Sequence, residues 1–113
     1  MEITKRVERL EILEEKCGIA ISALYASYET DSILGTKIII NFDVNSLSGG
    51  GLERTVYMHA SAYNSAGQLL GTSHSNDAVK FGTFGGFQPV SITIYDVDEV
   101  PEKIRLFPSL TYT

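Results

Sequence analysis

Tryptophan is absent from the 113 residues, and the chain holds one cysteine, two histidines and three prolines. A single thiol, Cys17, makes no internal disulfide, so the fold must close on side-chain packing alone. That usage points to a reducing compartment: the expected location is cytoplasmic, or exported if a signal segment precedes these residues. No apolar run approaches the roughly 20 residues of a membrane-spanning helix. The first sixteen residues carry charge throughout and lack the basic-then-apolar layout of a secretory signal. Clustered positive charge is missing too. Lys5, Arg6 and Arg9 alternate with Glu2, Glu8 and Glu11, and 9 basic residues stand against 14 acidic ones, a net charge of -5. Phosphate-rich partners, whether nucleic acid or anionic membrane, are therefore disfavoured.

What is present is an ordinary globular composition, 43% hydrophobic and 20% charged, sized for one core. Two zones divide it. Residues 1–17 are rich in Glu, Lys, Arg and Leu. Residues 18–113 are rich in β-branched residues, Tyr, Ser and Gly. In the first zone Ile3, Val7, Leu10 and Cys17 follow a helical rhythm with Leu13 beside it, Glu2 and Arg6 have ion-pair spacing, and Gly18 supplies a stop. This predicts an N-terminal helical extension laid on its own domain. A short self-associating coiled coil and a strand through RLEIL are the alternatives.

The second zone alternates with period two. Ile38, Ile40, Phe42 and Val44 fall on one face of TKIIINFDVN, and Val56, Met58, Ala60 and Ala62 on one face of RTVYMHASAY. Val90, Ile92 and Ile94, then Ile104, Leu106 and Leu110, form two further inward sets. With GIAISALYASY, QLLGTSHS and a short AVKFGTF, the count is seven strands separated by Gly, Ser, Asn and Asp clusters. The predicted fold is mainly β, an antiparallel immunoglobulin-like β-sandwich. Between two of the strands, Asn64 to Gly67 make a hairpin loop in which Gly67 supplies the positive φ. Pairing Tyr63 with Gln68 would set His59 opposite Thr72 and diagonal to His74.

Three segments carry a family resemblance: FDVNS (residues 42–46), ASAYNSAGQLLGT (60–72) and the terminal FQPVSITIYDVDEVPEKIRL. Together they resemble the bacterial immunoglobulin-like domains called FxLyD and their fibronectin-type-III-like relatives, over about residues 36–110. Ala60, Ala62 and Asn64 stand where the family has Phe, Leu and Asp. The resemblance implies a bacterial, non-enzymatic binding or structural module.

Chemistry-bearing clusters are sparse. His59 and His74 could share a metal, but no third ligand sits at suitable spacing. Asp96, Asp98, Glu99 and Glu102 crowd one loop without the EF-hand pattern, which leaves calcium as an alternative to a solvated acidic turn. Gly49, Gly50 and Gly51 lack the Lys-Ser/Thr of a phosphate loop. Serines occupy no Gly-x-Ser-x-Gly elbow, and Asp43 with Asp96 is a carboxylate pair that nothing fixes in space. Phe81, Phe84 and Phe87 recur three apart among glycines, as core or as an aromatic ledge.

The expectation is thus a non-catalytic protein-interaction or assembly module without a cofactor, binding another protein or another copy of itself. Its contacts would come from Phe81, Phe84, Phe87, Asp96, Asp98 and Glu99. The alternatives are a small acidic inhibitor or immunity-type protein that captures a basic partner, and a calcium-dependent module.

Overall fold

A computed structural model describes residues 1–33, 35–49, 55–75, 78–79 and 87–110. The chain is mainly β. A 3-10 turn (Thr4–Arg6) leads to β1 (Val7–Arg9), α1 (Glu11–Cys17), β2 (Ile19–Asp31), β3 (Gly35–Ser46), β4 (Tyr57–Tyr63), β5 (Leu69–His74), β6 (Phe87–Tyr95) and β7 (Lys103–Ser109). They form two sheets, β1-β7-β4-β5 and β2-β3-β6, whose inward side chains share one core. All neighbours run antiparallel except β1, which lies parallel to β7. The AVKFGTF strand lies mostly outside the described residues; of it, Val79 is buried and bridges Val56.

Period-two alternation becomes burial where the sequence places it. Ile38, Ile40, Phe42 and Val44 on β3 are buried, as are Met58, Ala60 and Ala62 on β4, and Ile92 and Ile94 on β6. Removing those aliphatic faces from water drives the two sheets together. Leu110 departs from its predicted inward place: it is 43% exposed, beyond the end of β7, and Pro108 holds the third buried position of that strand.

The N-terminal segment overturns the seventeen-residue helix. Glu2 bridges Ser27, and the amides of Ile3 and Tyr28 bond to the carbonyls of Ala26 and Met1 at 2.8 Å each. After the 3-10 turn, Val7–Arg9 pairs with Ile104–Leu106 of the other sheet. The strand through RLEIL is equally displaced, because the helix begins at Glu11. The periodic apolar residues serve different purposes: Ile3 is a core plug, Val7 lies on a strand, and Cys17 ends a two-turn helix. Arg6 does not wait on Glu2 but donates from Nη1 to the Pro101 carbonyl at 2.8 Å. Tertiary pairing along two open sheet edges outweighs the modest helix propensity of a short charged segment. Gly18 does stop α1, in the left-handed conformation at φ 77°.

The loop Asn64–Gly67 behaves as predicted. Gly67 has φ 78°, and the Asn64 Oδ1 accepts from the Ala66 and Gln68 amides at 3.0 and 2.9 Å. The register beyond it does not. Tyr63 pairs with Leu69, and a shift next to it makes Ala62 face Gly71, so His59 faces His74 directly.

Candidate functional site

Of the expected contact residues, those the structure describes lie at the two ends of β6. Phe81 and Phe84 lie outside the described residues. Phe87 opens β6 and is 53% exposed. Asp96, Asp98 and Glu99 follow the other end of that strand and are exposed. Asp96 lies nine residue steps beyond Phe87 along the strand, roughly 30 Å.

The acidic loop is held firmly between its charges. Val97 is fully buried, and its carbonyl accepts from the Tyr28 hydroxyl at 2.9 Å and from the Thr36 hydroxyl. Asp96 takes a left-handed backbone at φ 58°, and Pro101 is buried beneath the Arg6 guanidinium. Among the described residues no three His, Cys, Asp or Glu side chains converge as a metal-ligand group. Asp43 opposes Pro89, seven residues before Asp96, so those two carboxylates are separated by roughly 20 Å. His59 and His74 meet edge-on at 6.1 Å between ring centroids, and His59 stacks on Phe107 at 5.5 Å. Cys17 packs against the core, where desolvation raises its thiol pKa and holds it as a neutral thiol.

Described residues line two open depressions of note. One, of about 360 Å³, lies beside the hairpin loop and is lined by Tyr63, Ser65, Glu102, Lys103 and Arg105. Arg105 stands 5.3 Å over the Tyr63 ring, and Glu8 of β1 holds both cations, Lys103 at 3.1 Å and Arg105 at 3.7 Å. Its charges are largely satisfied within the chain.

The other, also about 360 Å³, is a trough across the outer face of β2-β3-β6. Cross-strand register builds it. Tyr25, Asn41 and Ser91 make one outward row, and Ser22, Asp43 and Pro89 the next. Between those rows β2 carries a bulge: Ala23 and Leu24 have no partner in the β3 ladder, and Ala23 adopts φ 53°. A left-handed alanine costs about 1–2 kcal/mol, strain of the kind that collects at functional sites. Asn41 and Asp43 project outward because Ile40, Phe42 and Val44 are drawn inward. The Asn45 amide, one row further, donates to the Ser22 hydroxyl at 2.8 Å and ties the bulge to β3. The same face carries Phe87 and, 63% exposed, Tyr95. Small residues such as Ser22 and Ala23 blur the alternation of this strand, so the trough was not legible in it. Only the unexplained break in period at Ser22–Leu24 could have marked it.

Compared with family models, with curated proteins and with solved structures, the chain gives no match.

Proposed function

We propose that the protein is a non-catalytic binding module on an immunoglobulin-like sandwich, with the outer face of β2-β3-β6 as its contact surface. The carrying observation is that Tyr25, Phe87 and Tyr95 stand 48%, 53% and 63% exposed in three of the five outward rows of that sheet. Aromatic surface held open by a rigid sheet is what a partner covers. The strand order favours the immunoglobulin-like reading: hairpins β2–β3 and β4–β5 sit in opposite sheets, and β6 and β7 return beside β3 and β4. The partner is another protein or a second copy of this chain, and the reading includes no catalytic step. Capture from a native lysate with the wild type and with a Tyr25→Ala/Phe87→Ala variant tests the surface. A partner retained by the first and lost by the second supports it; the same set on both removes it.

The firmly anchored loop at Asp96, Asp98 and Glu99 favours a second reading, capture of a basic protein by an acidic inhibitor. Binding would then weaken as salt rises, since exposed charges are screened within about 10 Å at 0.1 M. Capture indifferent to salt argues against it.

A further inference from the structure

We propose that the trough at the β2 bulge holds one neutral sugar residue, its ring against Pro89 and its hydroxyls on Asn41, Asp43 and Ser91. The inference rests on the reading of this sheet face as the binding surface and goes beyond its protein partner, naming a second, small ligand for the trough between the exposed aromatic residues.

The chemistry of the lining narrows the choice. Among the described lining residues no Lys, Arg or His is present, whereas Asp43 contributes a carboxylate. Phosphate, sulfate and carboxylate ligands meet repulsion there. A peptide adding as a further strand would need unpaired strand edge, yet the trough crosses β3, whose two sides are taken by β2 and β6. Recognition must therefore come from side chains on the face. Those present form a mixed donor and acceptor set: a carboxylate that accepts from two hydroxyls, an amide that donates and accepts, and a hydroxyl that does both. A polyol is the neutral ligand whose hydroxyls also both donate and accept. Its C–H face matches Pro89 and Ala23, with Tyr25 at the rim opposite Asn41. The volume sits at the small end for ligand sites, suited to one ring. The bulge supplies the shape, because two β2 residues outside the ladder break the flat run of the sheet at that row.

The test is an amide-shift titration of the whole chain with neutral methyl hexosides and a methyl N-acetylhexosaminide, alongside sorbitol as an acyclic polyol and glucose 6-phosphate as an anion. The expected result is saturable movement confined to residues 22–25, 41–43 and 89–91 with at least one cyclic sugar, at an affinity on the order of a millimolar. Sorbitol and the phosphate should respond more weakly. Asn41→Ala and Asp43→Asn, each checked for an unchanged spectrum elsewhere, should weaken binding about tenfold. Either variant serves if the other fails to fold. No saturable shift up to about 50 mM, or an equal response to sorbitol, overturns the proposal. That failure leaves the Tyr25/Phe87 capture result standing, so the sugar assignment and the surface assignment fall separately.

Discussion

Arg9 grips Glu14 with two parallel hydrogen bonds, Nη2 to Oε1 at 2.6 Å and Nε to Oε2 at 3.1 Å, and Glu14 is only 2% exposed. The pair joins the end of β1 to α1. Glu14, which breaks the apolar rhythm of the segment, is thereby the residue that fixes its path. Removing the guanidinium strands a carboxylate away from water, so Arg9→Met should destabilise by about 3–5 kcal/mol. The double variant Arg9→Met/Glu14→Leu should recover most of that loss. Urea denaturation of the three proteins checks it. The hydrogen bond to Glu14 raises the Arg9 pKa, so its stabilisation is complete below the ordinary arginine value and fades only as pH climbs through the higher folded one. Between pH 6 and 9 the effect of Arg9→Met should therefore be flat with respect to the arginine's titration.

Gly71 on β5 approaches β6 so closely that a Cβ there would lie 2.8 Å from Ile94 Cγ2. Ile94 is buried and β-branched, with little freedom to turn aside. Gly71→Ala should cost about 1–3 kcal/mol, despite alanine's ordinary advantage in chain entropy. A lowered thermal midpoint would show it, and an unchanged one would mean the sheets slide apart easily.

Asn64 caps the hairpin through its Oδ1, which a carboxylate can replace. Asn64→Asp should keep both backbone bonds and lose only the 2.9 Å contact from Nδ2 to Gln68 Oε1. Asn64→Leu forfeits all three and should cost about 1–2 kcal/mol. Equal melting of the two variants would show that the side chain contributes nothing.

Ala23 inverts the usual sign for a strand. Ala23→Gly should stabilise by up to about 1 kcal/mol, since relief of the left-handed backbone outweighs glycine's extra entropy. Denaturant midpoints decide it.

Cys17 should react slowly. Burial raises its pKa, so the thiolate fraction at pH 8 is smaller than in the unfolded chain. Alkylation by iodoacetamide should accelerate several-fold in denaturant, and equal rates would contradict the packed position.

Much of the architecture was legible because β3 alternates from Ile38 to Val44, with Ile39 the one apolar residue on its outward face, and because the alternation from Val56 to Ala62 runs through most of β4. A pattern of that length has one solution when one face must be buried. Three features were hidden for physical reasons. The start of the chain had helical spacing, but its partners, Ala26 and Leu106, are remote in sequence. The register shift beside Tyr63 moved His74 opposite His59, and nothing in LLGTSH announces an extra residue. The bulge at Ala23 and Leu24 follows small side chains, Ala20, Ser22 and Ala23, that give an apolar template little to read. The candidate trough was lost with it, since Asn41, Asp43 and Ser91 come together only across three strands.

Residues 1–9 tie into both sheets, reaching β2 at Ala26 and β7 at Ile104–Leu106, with Arg6 bonded 95 positions along the chain. During synthesis on the ribosome this segment emerges well before β7, so Val7–Arg9 has no strand to pair with until Lys103–Ser109 has left the exit tunnel. The nascent chain must keep Val7 uncommitted until then, so β1 settles only after the far end of the domain has been made.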